Sequence, residues 1–236
     1  MSTKFFTNST GNTLFDKFKG IAADMINFDS FLAVVGFFRS SGYFKLRKEL
    51  GNVSEIKILV GINIDDIFRK HNKALLMLAD EDKAKEIYHN GFKEDIINAQ
   101  YSPEVEEGIL QMCEDLVSGR LQMRIHATKN LHAKFYLCLP QNHSEHSDGW
   151  VIMGSSNISD SGLGIKQQPQ YELNVAMKDF DDVKYCSDEF WALWNEAVPL
   201  TVEDIEEYKK KTYLSYQPTP YELYIKVLID TFGDQV

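Results

Sequence analysis

The sequence predicts an α/β protein built on a mixed β-sheet flanked by helices on both faces. Three observations point there. Two continuous apolar runs, FLAVVGFF (31–38) and EIKILVGINI (55–64), suit strands buried on both faces. Amphipathic helical patterns stand before and after them, and further strand-like segments follow residue 120. The order, β-α-β-helices-β-β-β-β-α, suggests helices packed on both sides of one sheet.

Each element has its own signal. Thr13 followed by Asp16 is a helix-cap pair, and Leu14, Phe15, Phe18, Ile21, Ala22, Met25 and Ile26 then mark one helical face. A short helix is expected over about 42–50, between the two apolar strands. Residues 66–118 read as helical and acidic. The best-marked helix there starts at Ser102-Pro103, carries Val105, Ile109, Met112, Cys113 and Leu116 on one face, and stops at Gly119. LQMRIHA (121–127), NLHAKFYLCL (130–139), GWVIMG (149–154) and YELNVAM (171–177) read as strands, the first two by alternation. A helix over about 182–197 carries Val183, Cys186, Phe190, Trp194 and Ala197 as its stripe and ends at Pro199.

Residues 1–199 are thus expected to form one domain with a helical insertion at about 65–119. Residues 200–236 are expected to be a C-terminal helical extension, with helix starts at TVED (201–204) and at TPYE (219–222), where Pro220 takes the first helical position.

Bulk properties set broad bounds. With 44% hydrophobic and 25% charged residues, the 236-residue chain has an ordinary globular composition. No apolar run approaches the roughly 18–20 residues that cross a bilayer, and MSTKFFTNSTGN lacks the pattern of a signal peptide. Cys113, Cys138 and Cys186 lie far apart in apolar stripes, as reduced core thiols of a cytoplasmic protein would. The net charge of −10 argues at first against a nucleic-acid partner. However, residues 1–60 carry +3 and residues 121–180 are neutral; the deficit lies in 61–120 and 181–236, mostly helical segments.

One strand carries an unusual pair. If 130–139 is extended, Leu131, Ala133, Phe135, Leu137 and Leu139 share a core face, while His132 and Lys134 project together on the other. The following strand runs into GSSN (154–157), and in YELNV Glu172 and Asn174 share one face. RSSG (39–42) forms a strand-to-helix loop whose backbone N–H groups, with Ser40 or Ser41, could hold a phosphate, Arg39 adding charge.

His132, Lys134, Gly154, Ser155 and Asn157 resemble the HxK…GSxN motif of the phospholipase D superfamily, and the element order over roughly 10–198 fits that family's fold. The usual motif has an aspartate five positions after the lysine, where this chain has Leu139. That departure resembles the nuclease and DNA-repair branch, whose members supply a later glutamate; Glu172 stands there. The resemblance implies a metal-independent phosphodiesterase without a cofactor. His132 would attack phosphorus to form a phosphohistidine, because a neutral imidazole approaches the phosphodiester anion without charge repulsion. Lys134, Asn157 and Ser155 would bond the developing charge on the equatorial oxygens, and Glu172 would hold the second ring nitrogen.

A second HxK in HNK (71–73) falls in a helical run where i and i+2 diverge, and no GSxN follows it. A single motif implies a homodimer that shares its active site across a two-fold axis. The TLFDKF helix, the core and PYELYIKVL together resemble the N-terminal domain of certain bacterial superfamily 2 DNA helicases. A nucleotide-binding GxxxxGK[ST] is missing from these 236 residues. The competing expectation is a catalytically silent DNA-docking or dimerisation module. DNA is the expected partner, and nothing resembles a membrane-binding face.

Other polar residues read blandly. His143-x-x-His146 with Asp148 reads as a solvated turn, not a metal site; His126 as an exposed or sheet-edge histidine; and Phe190, Trp191 and Trp194 as core spacing on a helix.

Overall fold

The computed structural model describes residues 4–25, 27–61, 103–126, 131–166 and 170–199. Much of the expected insertion, the HNK tripeptide and the whole expected extension at 200–236 lie outside the described residues.

The capping pair works in both directions. The Asp16 N–H donates to the Thr13 hydroxyl at 3.0 Å and the Thr13 N–H donates to the Asp16 carboxylate at 3.0 Å, which starts helix α1 (Leu14–Asp24). Strand β1 (Phe5–Thr7) precedes it. Strand β2 (Phe28–Val35), helix α2 (Ser40–Glu49) and strand β3 (Glu55–Gly61) follow. Helix α3 (Pro103–Val117) ends as expected near Gly119, whose φ of 77° is the left-handed cap geometry. Then come β4 (Leu121–His126), β5 (Phe135–Pro140), β6 (Trp150–Gly154), β7 (Leu173–Met177), helix α4 (Phe180–Glu196) and β8 (Val198–Pro199).

Among the described residues these strands form one eight-stranded sheet in the order β1-β7-β6-β5-β2-β3-β4-β8. β2, β3 and β4 are parallel neighbours; every other pairing is antiparallel. The sheet is therefore mixed, and helices cover both faces. On one face α1, α2 and α3 bury Phe31, Ala33, Val35, Ile56, Ile58, Tyr136 and Cys138. On the other, the α4 stripe Val183, Cys186, Phe190 and Trp194 packs on Leu32, Val34, Leu59, Phe135 and Leu137. Each fully buried large side chain contributes about 1.5–3 kcal/mol of transfer free energy. The two long apolar runs are the strands buried on both sides, as their composition requires.

Several expectations need correction. β5 starts at Phe135, not at residue 130, and does not alternate: Phe135 to Pro140 are all buried. It lies in the middle of the sheet, so Tyr136 and Cys138 meet one helical layer while Phe135 and Leu137 meet the other. β2 ends at Val35, before the Gly36-Phe37-Phe38 tail of its apolar run. Pro199 ends no helix directly but belongs to β8, at a sheet edge where proline's missing N–H costs no ladder bond. His126 is 1% exposed: β8 and α4 cover β4, and the Glu196 carboxylate stands 3.5 Å from its Nε2. Trp191 points away from the core and is half-exposed, under the Lys57 ammonium.

A buried polar cluster ties α2, α3 and the entry to β4 together. The Asp115 carboxylate accepts from the Tyr43 hydroxyl at 3.0 Å, Arg47 Nε at 2.7 Å and Arg120 Nη1 at 3.2 Å. Arg120 also donates to the Val53 carbonyl at 2.9 Å. Burial pushes the Asp115 carboxyl up. Hydrogen bonds from Arg47 and Tyr43 and the two guanidinium charges outweigh it, so the group sits below the usual carboxylate range.

Candidate active site

The ends of four neighbouring strands, β7, β6, β5 and β2, meet at one end of the sheet. Val34 pairs with Phe135, Phe135 with Met153, and Gly154 with Asn174. The residues just before β5 and β7 and just after β2 and β6 therefore meet.

His132 and Lys134 lie in the segment leading into β5, outside the ladder. This segment crosses the ends of β2 and β3, and two glycines admit it. A Cβ on Gly61 would sit 2.8 Å from both the Cβ and the carbonyl oxygen of Leu131. One on Gly36 would sit 3.1 Å from that same oxygen. Leu131 is buried as an anchor, while His132 is exposed and Lys134 half-buried. The expected facing therefore fails for Ala133, which is exposed although Leu131, Phe135, Leu137 and Leu139 are buried. Lys134 Nζ donates to the His132 carbonyl at 2.9 Å and stands 3.5 Å from His132 Nδ1. The second is a long contact, so the carbonyl bond is what holds the ammonium beside the ring.

Gly154-Ser155-Ser156-Asn157 completes the cluster. The Gly154 N–H donates to the Lys134 carbonyl at 3.1 Å, which fixes the two motifs side by side. Gly154 admits no Cβ, since one would lie 2.2 Å from Asn174 Oδ1. Asn157 Oδ1 accepts from the Phe37 N–H at 3.0 Å, which turns the amide nitrogen away from that bond. Phe37 follows Gly36, whose Cβ position is 3.7 Å from Lys134 Nζ. The lysine and the asparagine thus reach the same end of β2.

Ser156 is fully buried and structural: its hydroxyl accepts from Asn174 Nδ2 at 3.0 Å, and its carbonyl accepts from the Tyr136 hydroxyl at 2.6 Å. Burial, and then the Glu172 charge, push that hydroxyl well above the usual tyrosine range, so it stays a donor. Sequence reasoning paired Asn174 with Glu172 on one face. Instead Asn174 turns inward to Ser156, while Glu172 meets Ser155.

The Glu172 carboxylate accepts a hydrogen bond from the Ser155 hydroxyl, and that hydroxyl accepts from the Leu173 N–H at 3.1 Å. Among the described residues no hydrogen bond joins Glu172 to His132, so the structure brings the glutamate to Ser155 and not to the imidazole. Ser40 and Ser41 open α2, which has no side-chain cap and no acidic residue in its first turn. The Arg39 N–H is used by the Ile158 carbonyl at 2.8 Å, and the Arg39 guanidinium lies over the Phe37 ring at 4.4 Å. RSSG therefore docks on the segment that follows Asn157.

Among the described residues no group of three or more His, Cys, Asp or Glu side chains could hold a metal ion. His143 stacks on Phe180 with ring centroids 5.4 Å apart. No described helix is long and apolar enough to cross a membrane. The signal that sequence reasoning missed is the glycine pair: Gly36 and Gly61 each end a buried strand, where a turn or a close approach was to be sought.

A mixed sheet clad in helices on both faces, with HxK and GSxN meeting at one end, is a phospholipase D-like fold. The family model described as "Cardiolipin synthase, PLD-like domain" matches residues 81–194. That span includes His132, Lys134, Gly154, Ser155, Asn157 and Glu172, and over it the chain is similar to this phospholipase D-like domain.

No curated protein matches the sequence. Among solved structures, the phosphatidylserine synthase of Haemophilus influenzae Rd KW20 is similar with a TM-score of 0.50 and 12% identity, over 98% of this chain and 45% of that one. Nuc from Salmonella typhimurium, a phospholipase D family member, gives 0.46 and 10%, over 85% and 98%. TrmBL2, an archaeal chromatin protein with a described mode of DNA binding, gives 0.43 and 13%, over 85% and 54%. The chain spans about half the length of the synthase and of TrmBL2. At these identities the likeness concerns the fold alone.

Proposed function

We propose that the protein is a metal-independent phosphodiesterase acting on DNA through a phosphohistidine. The observation that carries this reading is the meeting of Lys134, the Asn157 amide and the exposed His132 ring at the joined ends of β2, β5 and β6. A ring nitrogen of His132 attacks phosphorus and the bond to the leaving oxygen breaks. That oxygen takes a proton from a second histidine. Water then attacks the phosphohistidine, gives its proton to the second histidine, and frees His132. Lys134 and Asn157 donate to the equatorial oxygens as charge gathers there. Ser155 gives its single hydroxyl proton to Glu172 and so fixes the wall of the site beside these donors, and the uncapped α2 start at Ser40 and Ser41 offers backbone N–H groups to a flanking phosphate. Glu172 is accordingly a positioning residue acting through Ser155.

The second histidine is that of a partner copy, so the working unit is a homodimer with His132 facing His132. A monomer in light scattering at micromolar concentration counts against this. Cys113, Cys138 and Cys186 are buried, and burial pushes the Cys138 and Cys186 thiols up, in keeping with a cytoplasmic protein. Residues 1–199 are proposed as the phosphodiesterase domain and 200–236 as a helical extension. The α1 helix and the PYELYIKVL motif support a place at the start of a superfamily 2 DNA helicase. ATP hydrolysis by a longer reading frame tests that context.

The deciding experiment is cleavage of DNA in EDTA by the purified protein beside His132→Ala. Cleavage by the first and not the second supports the reading. Cleavage by neither, with DNA still bound, leaves the silent docking module in its place.

A further inference from the structure

We infer that Tyr171 is a stacking platform for a nucleobase next to the scissile phosphate, so that the site takes single-stranded or splayed nucleic acid. This rests on the phosphodiesterase reading and names its substrate form. Among the described large apolar side chains Tyr171 is the most exposed, at 71%. The backbone that carries this exposed ring is held on both sides. The Asn8 side chain spans it, donating from Nδ2 to the Gln170 carbonyl at 2.7 Å and accepting at Oδ1 from the Glu172 N–H at 3.3 Å. Both peptide groups flanking Tyr171 are thereby tied to the segment that follows β1.

The next residue is Glu172, whose carboxylate holds the Ser155 hydroxyl at the end of the GSxN strand. The ring therefore stands one residue from the phosphate-side cluster. Leu173 and Met153, 48% and 40% exposed, continue an apolar shelf along the same two strands. A structural role would bury these three side chains. Instead they stay exposed at the strand ends that carry Ser155 and Glu172, which suits a ligand with alternating charged and flat apolar parts. A strand of nucleic acid has that composition, with a phosphate for Lys134 and Asn157 and an adjacent base face for Tyr171. Bases inside a duplex are already stacked and cannot reach the ring. With a net charge of −10 the chain gains little from general attraction to phosphates, so a salt-insensitive stacking contact contributes a larger share of binding.

The test is kcat/KM in EDTA for three substrates: an oligothymidylate, an abasic strand of equal length, and the duplexed oligothymidylate. Wild type, Tyr171→Ala, Tyr171→Phe and Tyr185→Ala are compared, each checked for an unchanged thermal midpoint. Tyr185 is the control, a ring 66% exposed on α4. Wild type should prefer the oligothymidylate over the abasic strand by roughly 5- to 150-fold, the range of one base–aromatic stack. Tyr171→Ala should bring that ratio near one, while Tyr171→Phe and Tyr185→Ala keep it. An unaltered ratio in Tyr171→Ala, or equal loss on both strands, overturns the platform. A duplex cut as fast as the single strand overturns the substrate form. If wild type cuts no substrate, the phosphodiesterase reading itself fails and the platform falls with it.

Discussion

Two polar clusters in this protein use similar side chains to opposite ends. Around Asp115, the carboxylate, two guanidinium groups and a tyrosine hydroxyl lie between α2, α3 and β4, with Asp115 only 4% exposed. Its charge is neutralised and its oxygens accept several donors. Around His132, the ring is exposed, the ammonium is bonded to a carbonyl, and among the described residues the Asn157 amide is bonded through its oxygen and not its nitrogen. The first arrangement pairs a buried carboxylate with donors from within the fold and stabilises it. The second leaves donors converging on solvent, which adds nothing to folding and suits an incoming anion. Saturation, more than residue type, separates a structural polar cluster from one open to a ligand.

Substitutions sharpen that contrast. The largest expected effect is at His132: His132→Ala should lower DNA cleavage on the order of 10⁴-fold or more, the scale of a lost nucleophile, with no change in the urea midpoint. Retained cleavage, or a destabilised fold, would merge the two clusters. Asp115→Ala should do the reverse and cost about 3–5 kcal/mol of stability, because two guanidinium groups lose their partner, while kcat of the folded fraction holds. The sign of its acid dependence follows from the depressed carboxyl. Stabilisation by Asp115 is complete above the ordinary carboxylate range and is lost as pH falls through the lower folded-state value. Urea midpoints measured from pH 6 downward should thus fall more steeply in wild type than in Asp115→Ala.

Lys134→Ala and Asn157→Ala should each reduce kcat by roughly 10²–10³-fold, as deletion of one donor to a developing oxyanion does. Wild-type rates in either would remove it from the site. Smaller again, Gly61→Ala should cost about 10²-fold in kcat through displacement of the His132 segment, since small misplacements have that effect. Its added methyl meets Leu131 backbone at 2.8 Å, so the segment must shift. A stability loss with an intact rate would show that the segment's path does not matter.

Much of the architecture was legible because its signals are dense. The stripe Val183, Cys186, Phe190, Trp194 repeats at helical spacing, and the Thr13–Asp16 cap is a local two-residue device. β1 and β8 were not legible: strands of three and two residues carry no periodicity, and only pairing with β7 and β4 defines them. The five motif residues were readable as types at a spacing. The conformation of His132 was not, because a period-two pattern continues past the point where the ladder stops at Phe135. Nor was the choice of Ser155 as the partner of Glu172, which depends on how β7 lies against the end of β6.

The order in which the strands lie also has a kinetic consequence. The site is drawn from residues 36 to 174: β5, β6 and β7 follow one another along the chain, but β2 (Phe28–Val35) pairs with β5 (Phe135–Pro140) across a long stretch of sequence. Such non-local pairing forms late. A ribosome releasing this chain from its N-terminus would expose His132 well before Ser155 has Glu172 to hold it. On the proposed phosphodiesterase reading, the nascent chain is expected to stay inert towards the nucleic acid around it until the last strand of the set has docked.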